Sequence, residues 1–313
     1  MAENKREGVL APPSFLLFSF DLEATGLKVL APVDERDQIT EFGFKVAAVW
    51  ADKTNHTLTY KYVQRQQFVD KGEEDKGFQQ YVKATRQASA KVQAITGITA
   101  KTLEGAAPLA DALQMVRDYI NEVGSMFDTP EYTVPRHLIG QNVGHKKDPT
   151  DDKLQGFDVG LLTAEIESVG GGNVGSKPAF NWFKQCRFDF LIDTLPLCRE
   201  VVDSTLLPRN AKDGRAIYTL SNCYKATTQK ELTGAHGALV DASGVLELLL
   251  NYEAFYVPFL KDLESEQPRF AMNLMDYVSE MLKILPKQTL TIGERPAKKT
   301  KTLFDMGFSS KKE

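Results

Sequence analysis

The sequence predicts an α/β fold in which helices cover a mixed β-sheet. Two observations support this prediction. The first 60 residues contain three strand-like segments separated by loops, and the following segments, up to about residue 252, are helix-like with strand-like runs among them. Strands that come first and then alternate with helices are typical of a sheet that has both antiparallel and parallel neighbours.

The predicted strands are short segments rich in apolar, β-branched and aromatic residues. The first, 14–22, is a continuous apolar run, as expected of a strand buried on both faces. The others mix apolar and polar residues or are too short to show a period, and they cover residues 39–50, 57–63, 137–140 and 188–193.

The predicted helices show apolar residues at helical spacing. In segment 108–122, for example, Leu109, Leu113, Val116 and Ile120 fall on one face. The same reasoning predicts helices over residues 77–94, 157–169, 194–202, 219–226 and 239–252.

Composition and charge limit the class of protein. The chain has 313 residues with 38 basic and 42 acidic side chains, a net charge of −4, so no general basic field recruits nucleic acid. A polyanion would have to be bound through a local patch or through bound cations. The three cysteines form no Cys-x-x-Cys pair, and the charged N-terminus precedes no cleavage site, so we expect an intracellular protein of the cytoplasm or nucleus, not a secreted one.

The chain divides into four parts by composition. We expect a flexible N-terminus (1–13), a main domain (14–254) with insertions at 143–156 and 170–187, and a helical extension (255–285). The extension is expected to serve core packing, with dimerisation as the alternative. The tail, 286–313, carries a local net charge of +4 and little apolar periodicity, which predicts disorder.

Two carboxylates follow the first predicted strand. Asp21 and Glu23 are two residues apart, so they point to the same face of an extended strand. Adjacent carboxylates repel, and hard divalent cations with oxygen ligands relieve that repulsion. A solvated acidic strand end is the alternative, but the motif continues as Thr25-Gly26, which makes a chance match improbable.

Further candidate residues lie towards the C-terminal half. His236 lies in a loop of small residues just before an apolar helix. Asp241 falls in the first turn of that helix, where its alternative role is to stabilise the helix by complementing the dipole. Asp158 opens another predicted helix, as a metal ligand or as a simple N-cap. Asp189 is its rival as the remaining carboxylate.

Together, the pattern Asp-x-Glu, Asp and His-x₄-Asp resembles the DEDD superfamily of 3′–5′ exonucleases, in its DnaQ-like, histidine-containing DEDDh subgroup. The resemblance covers about residues 14–254. Residues 95–99 resemble the family's "GIT" turn with Thr96 in place of its usual histidine, and residues 193–199 resemble its "DTL-x-LAR" helix. The middle motif departs from the family, because fourteen residues separate Asn142 from Phe157; we interpret 143–156 as a loop inserted within the motif.

The resemblance implies an RNase H-like fold, with a mixed five-stranded sheet and helices on both faces. It implies that Asp21, Glu23, Asp158 and Asp241 hold two Mg²⁺ ions, for which Mn²⁺ can substitute, and that His236 takes a proton from the attacking water. It further implies contacts to the terminal nucleotide of a single-stranded 3′ end from Leu22, Ala24, Thr25, Gly26, Leu27 and Asn142. The expected activity is release of nucleoside monophosphates from DNA, of the proofreading or repair type. RNA 3′-end trimming and a non-catalytic adaptor are the alternatives.

The tail contains an apolar cluster within a basic segment. Leu303, Phe304, Met306 and Phe308 are the cluster, and it resembles a degenerate sliding-clamp-interacting box in which Leu303 would be the aliphatic anchor. The pattern departs from the box because Thr300 replaces its glutamine and Phe308 comes one residue late. A tail that folds back on the body, or a nuclear-import segment, is the alternative to a sliding clamp as partner.

Overall fold

The computed structural model describes residues 11–64, 67–69, 77–146, 154–170 and 178–286 of the chain. Its strands are β1 (Phe15–Ala24), β2 (Ile39–Asp52), β3 (Thr57–Gln64), β4 (Gln67–Val69), β5 (Phe78–Tyr81), β6 (Arg136–Gly140), β7 (His145–Lys146), β8 (Leu154–Gln155), β9 (Phe190–Asp193) and β10 (Ala271–Asn273). In this part of the chain the helices are α1 (Ala90–Thr96), α2 (Leu109–Ser125), α3 (Asp158–Val169), α4 (Pro178–Cys186), α5 (Thr194–Val201), α6 (Leu220–Thr228), α7 (Ala238–Asn251), α8 (Glu253–Leu263) and α9 (Leu274–Ile284).

The strand order confirms the predicted RNase H-like sheet. The central order is β3-β2-β1-β6-β9, with β1 antiparallel to β2 and parallel to β6, and with β6 parallel to β9. The number of strands was wrong, because β4, β5 and β10 extend the five-stranded sheet to eight strands among the described residues. β7 and β8 form a separate two-stranded ribbon.

Helices cover both faces of the sheet, as predicted. The even-numbered residues of β1, such as Phe18 and Phe20, belong to one buried cluster together with residues of α2, α3, α4 and α9. The odd-numbered residues Phe15 and Leu17 belong to a second cluster, with residues of α5, α6, α7 and α8. β1 is therefore buried on both faces, which explains its continuous apolar run.

The predicted helix over 77–94 was wrong in its first half. β3 pairs with β2 only from Val46 to Asp52, which leaves the same edge of β2 open between Glu41 and Phe44. Residues 78–81 form β5 on that edge, because the open backbone groups of a sheet need hydrogen-bond partners. The ring of Phe78 stacks on Tyr119, with 4.7 Å between ring centroids. The helix that follows, α1, is only seven residues long.

The segment 255–285 contributes to the same core. It contains most of α8, the edge strand β10, which pairs antiparallel with β9, and α9. Leu274, Tyr277, Val278 and Met281 of α9 are buried against the sheet and α3. None of the described helices is both long and apolar enough to span a membrane.

Gly43 lets helix α7 lie directly on β2. A Cβ atom at this position would come within 2.2 Å of the backbone of Ala238 and Leu239, at the start of α7. Real Cβ atoms do not approach backbone so closely, so a side chain here would push α7 away from the sheet.

We therefore predict that Gly43→Ala destabilises the protein by about 1–3 kcal/mol, the usual cost of overpacking a core. Urea denaturation at equilibrium measures this. Gly160→Ala is the matched control, because the closest contact of its added methyl would be the flexible end of Met281, at 3.1 Å, with Val29 at an ordinary contact distance of 3.5 Å. Equal stability of Gly43→Ala and the wild type would contradict the close approach of α7 to β2.

Candidate active site

Asp21 and Glu23 lie near the carboxyl end of β1, on its odd-numbered face. Both are half-buried and alternate with the buried residues Phe20 and Leu22. They lie on the same face of β1 as Phe15 and Leu17, which pack in one cluster with residues of α5 to α8. The two carboxylates therefore point from one strand towards the side of the sheet on which α7 lies.

Asp241 joins these two carboxylates from a different part of the chain. One oxygen atom from each of Asp21, Glu23 and Asp241 can be chosen so that all three atoms lie within 4.8 Å of one another. Asp241 is in the first turn of α7, and α7 packs on β1 and β2. The fold thus brings three of the four predicted metal ligands into one cluster, although 217 residues separate Glu23 from Asp241 in sequence.

His236 is placed by the loop that precedes α7. It is exposed and adopts a left-handed backbone conformation, with φ of 68°. Its backbone N–H donates to both carboxylate oxygens of Asp241, at 3.4 and 3.3 Å. The imidazole therefore lies next to the carboxylate cluster, on a turn that Asp241 itself stabilises.

Asp158 reaches the site from the first residue of α3. The two halves of the middle motif are adjacent in space, because the N–H of Phe157 donates to Asn142 O at 2.8 Å and the N–H of Val159 donates to Val143 O at 3.1 Å. In the intervening segment, β7 and β8 pair with each other, one near its start and the other near its end. Asp158 is buried, and its negative charge raises the pKa of Asp21.

Asp193 holds the turn that leads from β6 to Asp158. It is fully buried, and its carboxylate accepts the N–H groups of Asn142 at 2.8 Å, Gly144 at 3.1 Å and Leu195 at 2.9 Å. These bonds tie the middle motif to the end of β9. The sequence analysis placed Asp193 only in a motif resemblance and missed this structural role.

Asp158 and Asp189 are the rival candidates for the remaining carboxylate, and the structure places them differently. Asp189 is exposed, and its carboxylate accepts the N–H of Arg136, at the amino end of β6. Arg136 pairs with Leu16, five residues before Asp21 on β1. Asp189 therefore lies at the opposite end of the parallel strands from Asp21, whereas Asp158 is close enough for its charge to raise the pKa of Asp21. Asp158 is not one of the three residues whose oxygen atoms lie within 4.8 Å of one another.

Burial and like charge dominate the electrostatics of the cluster. Burial raises the pKa of Asp21 well above its usual range, and the charges of Asp158, Asp241, Glu23 and Glu41 raise it further. Burial, Asp241 and Glu41 raise the pKa of Glu23 to about 8. The pKa of Asp158 is raised by burial and by neighbouring carboxylates including Asp193, and that of Asp241 is raised by burial.

A cluster of hard oxygen donors with these raised pKa values fits a divalent cation. Among the described residues, no lysine or arginine forms a salt bridge with these carboxylates. A bound cation would supply the missing positive charge and would lower the pKa of each ligand. Carboxylate oxygens are the ligands preferred by Mg²⁺ and Mn²⁺.

Glu41 is a fifth carboxylate of the site, and the sequence analysis missed it. It pairs with Glu23 across the β1–β2 register and is 1% exposed. Burial raises its pKa, and its charge raises the pKa of Asp21, Glu23 and Asp241. The available signal in the sequence was an acidic residue inside the apolar run of β2.

The loop after Glu23 contains the other predicted contacts to substrate. The hydroxyl of Thr25 donates to the buried carboxylate of Asp37 at 3.0 Å and accepts the N–H of Gln38 at 2.9 Å, so it is engaged within the loop. Asp37 also accepts the N–H of Lys28, and a side chain at Gly26 would meet the Asp37 carboxylate at 2.5 Å. Leu27, by contrast, is 81% exposed.

The remaining predicted site residues differ in exposure. Leu22 and Ala24 are buried, so only their backbone is available to a substrate. Asn142 is exposed, with φ of 61°, and lies two residues after Gly140, the last residue of β6. The tail residues Leu303, Phe304, Met306 and Phe308 lie outside the described residues, so the clamp-binding hypothesis stays a prediction.

One family model matches the part of the chain that contains the first motif. The family model RNase_T, described as an exonuclease, matches residues 18–129, about a third of the chain. That segment contains Asp21, Glu23 and Glu41 but none of Asp158, His236 and Asp241. No curated protein sequence matches the chain.

Solved structures that resemble the chain include three crystal structures of Exonuclease I from E. coli. The complex with a dT13 oligonucleotide has a TM-score of 0.48 and 15% identity, and covers 80% of this chain and 43% of that chain. The complex with a dA16 oligonucleotide has a TM-score of 0.46 and 15% identity, with 79% and 44% covered. The zinc-bound form in complex with single-stranded DNA has a TM-score of 0.46 and 14% identity, with 79% and 43% covered.

The chain thus spans less than half the length of those Exonuclease I chains. The family match to residues 18–129, together with a carboxylate cluster that could hold a metal ion, supports a nuclease.

Proposed function

We propose that this protein is a metal-dependent 3′–5′ exonuclease that hydrolyses phosphodiester bonds at the 3′ end of DNA and releases nucleoside monophosphates. One observation carries the proposal: Asp21, Glu23 and Asp241 converge from distant parts of the chain, with Asp158 close enough to act on Asp21 electrostatically. The exonuclease family match over the strand that carries the first motif supports it.

Each residue has a proposed role. Asp21, Glu23 and Asp241 would hold one Mg²⁺ ion, and Asp158 with Asp21 would share a second. Bound cations supply Lewis-acid stabilisation of the charge that develops on the phosphate, and they allow an acidic protein to bind a polyanion. His236 is exposed beside Asp241 and would accept the proton of the attacking water, since histidine is the side chain best suited to proton transfer near neutral pH.

The exposed side chains of Leu27 and Asn142 would contact the terminal nucleotide of a single-stranded 3′ end, together with the backbone of Leu22, Ala24 and Gly26. An apolar side chain next to a cluster of carboxylates suits a nucleobase, whose flat face stacks or packs on apolar groups. An RNA-trimming activity would use the same chemistry, so RNA is one of the substrates that the assay has to include.

We predict that Asp158→Asn lowers the rate of digestion at least about 10³-fold, because loss of one charged group in such a site removes several kcal/mol of transition-state stabilisation. The assay follows the stepwise shortening of 5′-labelled single-stranded DNA, duplex DNA and RNA, with and without Mg²⁺. Asp189→Asn is the matched control and should retain wild-type activity, because Asp189 lies at the opposite end of the parallel strands.

Three outcomes of this assay would contradict the proposal. The first is release of the 5′-labelled mononucleotide at the outset, which would show digestion from the 5′ end. The others are digestion that is indifferent to chelators and equal loss of activity in both variants. A wild-type protein that binds oligonucleotides but digests none of the three substrates would favour the non-catalytic adaptor.

For His236 we predict that replacement by alanine lowers kcat about 10²–10⁴-fold, the usual contribution of general acid–base catalysis, and leaves KM nearly unchanged. The imidazole is outside the cluster of three carboxylate oxygens, so the dissociation constant for Mn²⁺, measured by calorimetry, should stay close to the wild-type value. Weaker Mn²⁺ binding with unchanged kcat would instead make His236 a ligand.

The raised pKa values predict a specific dependence of stability on pH in the metal-free protein. Glu23 has a pKa of about 8 in the fold against an ordinary value of 4.5, so the folded protein favours its protonated form. Its ionisation therefore costs stability increasingly as the pH rises from about 4.5 to 8. We predict that Glu23→Gln raises the melting temperature of the metal-free protein at pH 8, and by less at pH 5.

Differential scanning calorimetry measures this effect. A rise of about 2–4 °C corresponds to 1 kcal/mol in a domain of this size. Adding Mg²⁺ should stabilise the wild type and have a smaller effect on Glu23→Gln, with the exposed Glu131→Gln as control. The electrostatic account fails if Glu23→Gln is less stable than the wild type at pH 8 without metal.

A further inference from the structure

Glu41 is a buried carboxylate that none of the proposed catalytic roles uses. It lies on β2, directly opposite Glu23 in the antiparallel register, and is 1% exposed. Like charges that face one another across two strands destabilise a sheet. A neutral residue here would avoid that cost, so the presence of a carboxylate calls for a compensating interaction.

The hydrogen bonds of Glu41 identify that interaction. One oxygen, Oε2, accepts the N–H of Ala238 at 3.3 Å, and the other, Oε1, accepts the side-chain amide of Gln79 on β5. Ala238 is the first residue of α7, and Gly237, the N-cap of this helix, makes no side-chain cap bond. Glu41 therefore caps α7 from a neighbouring strand, where a negative charge also complements the helix dipole.

This contact lies at the point where α7 meets the sheet. Gly43, two residues along β2 and on the same face, is in close contact with the backbone of Ala238 and Leu239. Asp241 follows Ala238 by three residues, in the first turn of the helix, and His236 precedes it by two. A single N–H bond to Glu41 thus fixes the segment that carries both side chains.

We propose that Glu41 is a positioning residue: by accepting the Ala238 N–H, it holds the first turn of α7 on β2 and so places Asp241 and His236 beside Asp21 and Glu23. The inference rests on the proposed function for its catalytic consequence, but the hydrogen bond and its effect on α7 stand independently of the activity. Glu41 contacts no reacting atom in this account and acts through the backbone of Ala238.

Glu41→Ala and Glu41→Gln test the proposal as a pair. The alanine variant leaves the Ala238 N–H without its acceptor. The glutamine variant keeps an oxygen for Ala238 and can pair with Gln79 once the Gln79 amide rotates by half a turn. Gln79→Ala and Gln80→Ala form the matched control pair, because the side chain of Gln80 bonds the neighbouring carbonyl of Tyr81 and no other group of the described residues.

Three measurements are made on the full chain. Hydrogen exchange by mass spectrometry, without metal, should show exchange of the 238–241 amides at least about fivefold faster in Glu41→Ala, with little change elsewhere. Calorimetry with Mn²⁺ alone should show a dissociation constant raised about 10–100-fold, the usual effect of removing a group that orients a ligand. On oligonucleotide, kcat should fall with KM nearly unchanged. Glu41→Gln should stay close to the wild type in amide exchange, Mn²⁺ affinity and kcat. Gln79→Ala should change these three properties less than Glu41→Ala does, and Gln80→Ala should match the wild type.

The proposal is overturned if Glu41→Gln is as impaired as Glu41→Ala, because the charge and not the hydrogen bond would then matter. It is also overturned if Glu41→Ala exchanges faster throughout the chain, or if its Mn²⁺ affinity is unchanged while the wild type binds Mn²⁺. A wild type that binds no Mn²⁺ and digests no nucleic acid would refute the proposed function alone, and the exchange measurement would still decide whether Glu41 holds α7.

Discussion

Repulsion among buried and half-buried carboxylates is the constraint on which the site depends. Burial raises the pKa of all five carboxylates of the site, which are Asp21, Glu23, Glu41, Asp158 and Asp241. Except for Glu41, each also has its pKa raised by the charge of a neighbouring carboxylate. A fold gains no stability from such a cluster in the absence of cations. The scaffold has to supply the free energy that holds these groups together, and a divalent cation would recover part of it. A charge cluster of this kind is typical of a site selected for chemistry and not for stability.

The scaffold holds the carboxylates chiefly through backbone hydrogen bonds. Asp193 accepts three N–H groups and fixes the turn before Asp158, Asp37 closes the loop after Glu23, and Glu41 caps α7. All three acceptors are buried. Asp193 and Glu41 thus connect segments that carry proposed ligands to the central sheet, and Asp37 holds together the loop that follows Glu23. Pre-organisation of this kind reduces the reorganisation that would otherwise be needed when cations and substrate bind.

Local patterns in the sequence were enough to predict the parts of the site that depend on local geometry. The two-residue period of β1 predicted that Asp21 and Glu23 share a face, and the apolar run of 14–22 predicted a strand buried on both sides. Features that arise from long-range pairing were not predictable in this way. Residues 78–81 form a strand only because β2 leaves an edge open there, and Glu41 joins the site only because β2 pairs with β1 in one register. The choice between Asp158 and Asp189 likewise needed the parallel pairing of β1, β6 and β9. That pairing places Asp189 at the amino ends of these strands, whereas Asp21 lies near the carboxyl end of β1.

A crystal structure of the protein grown with Mn²⁺, with anomalous diffraction recorded at the manganese edge, tests the central claim most directly. The account predicts an anomalous peak bounded by oxygen atoms of Asp21, Glu23 and Asp241, with a second peak on the side of Asp158. Anomalous density only elsewhere on the protein, or none at millimolar Mn²⁺ with the carboxylates in the same positions, would contradict it.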